Sequence, residues 1–150
     1  MVRIAEEHAQ WREGQRGCLV AIIGGTGTGK SMVLSRARAR LEAGDAPIRS
    51  LQPTGRLSDP DALLRWLLAE LDLGLEEPDW ILLTRALREL PPTVFFIDDA
   101  HRLLLRGVGG FSALRRLINL MHATADQHFW VASFHPVSYT HLTLPTKCWV

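Results

Sequence analysis

A chain of 150 residues, with 17 basic and 16 acidic side chains and a formal net charge of +1, is long enough for one domain with a real core and no more. That near-balance lacks the electrostatic footprint of a nucleic-acid binder, and no run of Lys or Arg forms a tail. No apolar run reaches membrane-spanning length, Glu6, Glu7 and His8 stand where a signal core would lie, and Cys18 and Cys148 make neither a disulfide framework nor a metal pattern, so a cytoplasmic, reducing setting is expected.

Residues 4 to 12 read as a short helix ending at Gly14, with Trp11 as a packing residue on it. Gly17 turns into an apolar strand, Cys18-Leu19-Val20-Ala21-Ile22-Ile23, with Cys18 as a small core residue. Gly24-Gly25-Thr26-Gly27-Thr28-Gly29-Lys30-Ser31 follows, the full G-x-x-x-x-G-K-[ST] phosphate-loop pattern, and a helix-compatible stretch runs on to Ala43. The glycines let the backbone curl so that successive N–H groups face one anion, and the helix start adds its positive dipole end. Lys30 is expected to reach the β- and γ-phosphates, and the Ser31 hydroxyl to ligate Mg²⁺. An ordinary glycine-rich turn would explain the glycines but not a Lys-Ser pair at that step.

Arg36, Arg38 and Arg40 alternate along the helix and read as a solvated face. Gly44-Asp45 ends it, and Pro47 to Leu51 is a short second strand. After a loop over 52–57, Asp59-Pro60 starts a helix by the cap-then-proline rule, with Leu63, Leu64, Leu67, Leu68 and Leu71 as its apolar stripe. Glu76-Glu77-Pro78-Asp79 marks another helix start, with Trp80, Leu83, Leu87 and Leu90 on one face until Pro91-Pro92 stops it.

Thr93-Val94-Phe95-Phe96-Ile97 then leads into Asp98 and Asp99. As a buried parallel strand it carries its acids to the carboxyl edge of the sheet, where open α/β sheets bind ligands. Asp98 is expected to hold the Mg²⁺ through water, with helix capping as the alternative. Asp99 is expected to orient or deprotonate the attacking water, as the catalytic residue, or else simply to cap the next helix. Residues 102–110, with Gly107, Gly109 and Gly110, read as a loop. A helix over 111–123 follows with Phe111, Leu114, Leu117, Ile118 and Met121 inward, then a fourth strand over 129–134. The six histidines show no ligand spacing, so no structural metal is expected.

Residues 24 to 31, taken with Phe95-Phe96-Ile97-Asp98-Asp99-Ala100-His101, resemble the AAA-type ATPases. The likeness is to the branch shared by origin-recognition-like ATPases, ExeA-like secretion ATPases and the STAND signalling NTPases, and it runs in order and spacing from residue 15 to about residue 136. It implies a three-layer α/β P-loop NTPase core with a mainly parallel sheet in strand order 2-3-4-1, truncated before the fifth strand. It also implies binding of ATP, with Mg²⁺, and hydrolysis that drives a conformational change in a partner protein, in a self-assembly or in missing C-terminal domains. ATP in place of GTP rests on the resemblance, since no N-K-x-D motif is present. Asp99 departs from the hydrolytic members, which usually carry Glu there, and Asp is one methylene shorter. Asp-Asp pairs are common among the STAND switches, so the alternative is a nucleotide-gated switch or scaffold with little turnover. A third reading is a nucleotide-binding piece inactive by itself. In the family the fourth strand is inserted between the first and third and ends in a polar sensor of the γ-phosphate. Ser133 and His135 are the candidates here, though a satisfied polar group is an equal reading. The segment before the first strand often lies over the adenine in relatives, which adds stacking as a second reading of Trp11.

The last segment changes character. Val137-Ser138-Tyr139-Thr140-His141-Leu142-Thr143-Leu144-Pro145-Thr146 resembles no ATPase element and matches, residue for residue, one reading frame of a common transposon-end sequencing adapter. The expected division is a partial AAA-type P-loop domain over 1–136 and a non-native tail over 137–150 that does not dock as the missing strand; a natural extended tail is the alternative. As an enzyme the chain is expected to be an ATPase, impaired in this truncated form.

Overall fold

Alternation along each strand decides which of two cores a residue joins. In the computed structural model, which describes residues 2–14, 19–25, 27–42, 44, 46–53, 57, 59–100, 112–135 and 148–149, the chain order is helix α1 (Val2–Arg12), strand β1 (Leu19–Ile23), α2 (Lys30–Leu41), β2 (Ile48–Leu51), α3 (Pro60–Leu71), α4 (Trp80–Glu89), β3 (Val94–Ile97), α5 (Ser112–Ala123), β4 (Phe129–Phe134) and β5 (Cys148–Trp149). Leu19 and Ala21 of β1, Phe95 and Ile97 of β3, and Trp130, Ala132 and Phe134 of β4 pack under α3, α4 and α5. The intervening residues, Val20 and Ile22, Val94 and Phe96, Phe129 and Val131, pack under α1 and α2. With helices on both faces, the central strands read as continuous apolar runs, as parallel strands buried on both sides must. The molecule is a three-layer α/β structure, as the sequence leads one to expect.

The sheet order is β2-β3-β4-β1-β5, and every strand pair is parallel. The first four places carry the expected 2-3-4-1 order. The fifth holds a two-residue strand, with Cys148 beside Val20 and Trp149 beside Ala21. The expectation that the tail leaves this place empty is corrected here. Strand β1 offers an outer row of N–H and C=O groups next to a buried apolar surface, and such an edge is a template for a further strand.

The helices form for the local reasons their sequences show. The Asp59 side chain accepts the Ala62 N–H at 3.2 Å, with Pro60 in the first turn of α3. The Asp79 carboxylate likewise accepts the Ile81 N–H at 2.8 Å to start α4. Leu63, Leu64, Leu67 and Leu71 bury the α3 stripe, and Leu114, Leu117, Ile118 and Met121 that of α5. Each such side chain contributes about 1.5–3 kcal/mol. Helix α2 buries a narrower line, Leu34, Ala37 and Leu41, and leaves Arg36, Arg38 and Arg40 exposed. Residues 101–111 and 136–147 lie outside the described residues, and with them the expected glycine loop and His101, Phe111 and most of the tail. Among the described residues no helix is long and apolar enough to cross a membrane.

Candidate phosphate and metal site

The loop leaves β1 at its carboxyl end. Gly24 N–H extends the β1–β4 ladder by one bond, to the Phe134 carbonyl at 3.2 Å. The Gly25 carbonyl then becomes a hub: it accepts the Thr28 N–H at 3.3 Å, the Thr28 Oγ1 hydroxyl at 2.7 Å and the Lys30 ammonium at 2.7 Å. Gly27 at φ 78 and Gly29 at φ 85 occupy left-handed conformations that a side chain would strain. Gly24 is needed for a different reason. A Cβ there would stand 2.5 Å from Thr28 Oγ1. Thr26 lies outside the described residues.

Gly29 is the N-cap of α2, no side chain caps that end, and the first turn holds no acidic residue. The first ladder bond runs from Val33 N–H to the Gly29 carbonyl at 3.0 Å. The preceding N–H groups and the positive end of the helix dipole are therefore available to an anion.

Asp98 follows β3, two strands away from β1, and its N–H donates to the Leu51 carbonyl at 3.2 Å. Ser31 and Asp98 line one cavity of about 170 Å³, together with Ser35, Arg38, Ser50 and Gln52 over a floor of Leu34, Leu51 and Phe96. A hydroxyl and a carboxylate facing one space are hard oxygen donors, the type that suits Mg²⁺. Asp99 is half-buried with φ 54, a left-handed conformation that Asp tolerates better than most residues. Whether it caps a helix lies outside the described residues.

Ser133 lies at full burial near the end of β4. Its hydroxyl donates to Asp98 Oδ1 at 2.8 Å and accepts the Asp99 N–H at 2.8 Å. His135 stands one residue past β4 and is half-buried. Trp11 is not at this end of the sheet. Its indole N–H donates to the Gln127 carbonyl at 3.2 Å, and its ring lies 5.8 Å from that of Phe129, at the amino edge of β4. That position serves packing and removes the adenine-stacking reading, because the loop leaves the opposite edge.

Sequence reasoning passed over Ser50 and Gln52 in the cavity wall. Their signal was positional: they end a parallel strand, on the edge where such sheets bind ligands. Arg38, read as a solvated side chain, is exposed but also donates to Ser50 Oγ at 2.7 Å and to Glu42 Oε1 at 2.9 Å.

A family model described as an AAA domain matches residues 12–134, which span the loop, both carboxylates and Ser133. The chain belongs to the AAA domain family. It is thus an AAA-type nucleotide-binding module on a P-loop NTPase fold. No curated protein matches this AAA domain. Among solved structures, it is similar to a DNA replication initiation factor at 14% identity and TM-score 0.49, covering 87% of this chain and 36% of that one. It is similar to AMPPCP-bound DnaA from Aquifex aeolicus at 13% identity and TM-score 0.49, covering 87% and 37%. It is also similar to Thermotoga maritima RuvB T158V at 15% identity and TM-score 0.49, covering 99% and 42%. The chain therefore spans about two fifths of the length of these structures. Likeness at this level says nothing of what the AAA domain here binds.

Proposed function

We propose that this AAA domain binds ATP together with Mg²⁺ and hydrolyses it, and that the change is passed to a partner protein, to an assembly of its own copies or to further domains, in the cytoplasm. The observation that carries the reading is the single cavity shared by Ser31 and Asp98, at the point where an uncapped helix start meets the end of β3. Gly24, Gly25, Thr26, Gly27, Thr28 and Gly29 would form the loop that cradles the phosphates, with backbone N–H groups other than those of Gly24 and Thr28, which bond the Phe134 and Gly25 carbonyls, turned toward them. Lys30, held on the Gly25 carbonyl, would exchange that partner for the β- and γ-phosphate oxygens. Ser31 and Asp98 would hold Mg²⁺, which needs few protein ligands because phosphates and water complete its shell. When bound, the ion neutralises charge on the phosphate oxygens. Asp99 would orient the attacking water and accept its proton as the bond from the γ-phosphorus to the ADP oxygen breaks.

A second reading is a nucleotide-gated switch with little turnover. The short Asp99 side chain on a left-handed backbone favours it, since a small misplacement of the base costs much rate. Calorimetry of ATP with and without Mg²⁺, followed by phosphate release, tests both. Binding tightened by Mg²⁺, with the tightening lost in Asp98→Asn, is expected under either; turnover distinguishes the enzyme from the switch. Absence of ATP binding under both conditions overturns the proposal.

A further inference from the structure

Strand parity brings one buried hydroxyl against both carboxylate residues. On β4, Phe129 and Val131 face α1 and α2, and Ser133 follows at the next position of that face. On β3, Val94 and Phe96 face the same way, and Asp98 is next in the alternation. Ile97 pairs with Ala132, so Asp98 falls beside Ser133. A hydroxyl has one proton and two lone pairs. The Ser133 proton is committed to Asp98 Oδ1, and a lone pair takes the Asp99 N–H. Ser133 itself is fully buried, while Asp98 and Asp99 are half-buried.

We infer that Ser133 is a positioning residue: a clamp that aims the Asp98 carboxylate and holds the Asp99 backbone in its left-handed conformation. It rests on the proposed ATP and Mg²⁺ reading of this site, and differs from a role as a phosphate sensor. Ser133 acts on phosphate and metal through Asp98 and Asp99 and makes no contact with the nucleotide. The physical reason is that a carboxylate expected to hold a metal gains from a fixed second partner. Without Ser133 the half-buried Asp99 N–H would lose its acceptor, and that cost keeps the Asp99 backbone where Ser133 puts it. The clamp also ties the ends of β3 and β4 together at the edge where the nucleotide would sit.

Three affinities test it in the 150-residue chain and its Ser133→Ala variant: ATP with Mg²⁺, ATP in EDTA and ADP in EDTA. Exchange of the Asp99 amide in nucleotide-free protein is followed alongside. The clamp predicts that Ser133→Ala loses about tenfold or more of the Mg²⁺-dependent gain in ATP affinity, the scale of one hydrogen bond to a charged group. Metal-free ATP and ADP affinities stay within about twofold, and the Asp99 amide exchanges about tenfold faster. Ser133→Thr, which keeps the hydroxyl, restores the gain. If Ser133→Ala does not fold, Ser133→Cys replaces it, with a weak donor and an intermediate loss. An unchanged Mg²⁺ gain overturns the clamp. So does a selective loss of metal-free ATP over ADP, which assigns Ser133 to the γ-phosphate instead. If the parent itself binds no ATP, the proposed function fails. The amide alone then decides the clamp: unchanged protection overturns it.

Discussion

His128 accepts the backbone N–H of Thr93 on its Nδ1 at 3.2 Å, and its Nε2 donates to the Leu87 carbonyl at 2.6 Å. One fully buried imidazole thus joins the end of α4, the approach to β3 and the start of β4. An Nδ1 that accepts cannot also carry a proton, so the neutral ring is the one the fold uses. Burial pushes its pKa below the ordinary 6.5, against the opposing pull of the Leu87 bond and the Asp126 charge. His8 and His122 are lowered as well, in both cases chiefly by burial. Below about pH 6.5 the unfolded chain takes up protons that the folded chain resists, so these groups favour folding above that pH and the advantage drains away as pH falls. Urea midpoints are expected to drop from about pH 7.5 to about pH 5.5. In His128→Gln, which cannot titrate, the drop should be smaller, with the shares of His8 and His122 remaining. A steeper drop in that variant would refute the role given to His128.

Lys30→Ala removes one hydrogen bond within the loop, to Gly25, and should leave the fold intact. Its effect on ATP should be larger, about tenfold or more in affinity, because a charge-assisted contact to phosphate disappears. Calorimetry measures the binding and circular dichroism the fold. Equal ATP affinity in variant and parent would remove the loop from the site.

Gly24→Ala places a methyl where Thr28 Oγ1 stands, 2.5 Å away, with Lys30 Cγ at 3.3 Å. The Thr28 side chain must give way, breaking its bond to the Gly25 carbonyl, and ATP affinity should fall by about tenfold, the loss expected when a fixed cradle is displaced. Gly24→Ala combined with Thr28→Ala removes the closest atom and should recover part of the loss. No recovery in the double variant would mean that the Thr28 contact is not the cause.

Asp99→Asn is a clean test of the base, since Asn tolerates a left-handed backbone at least as well as Asp. Mg²⁺-ATP affinity should stay near the parent's, and phosphate release should fall by roughly 10²-fold or more. Unchanged release would show that Asp99 is not the base. A parent without measurable release, but with Mg²⁺-dependent binding, fits the switch.

What could be read from the sequence was what is decided within a short stretch of chain. Glycines at 27 and 29 take left-handed backbones that only their lack of a side chain makes easy, so the loop was legible before any fold was known. The spacings of Leu63, Leu64, Leu67 and Leu71, and of Leu114, Leu117, Ile118 and Met121, specify buried helix faces by periodicity alone. Asp98 was legible because an apolar run ending in an acid already says strand end. The partners of Ser133 were not. They lie 34 and 35 residues away, and a hydroxyl's choice depends on which strand comes alongside and in what register. The same holds for Trp11, whose place at the amino edge follows from a carbonyl 116 residues distant, and for Cys148–Trp149, recruited by the open edge of β1. Local backbone preference is a property of the residues themselves; the neighbour across a sheet exists only once the sheet is built.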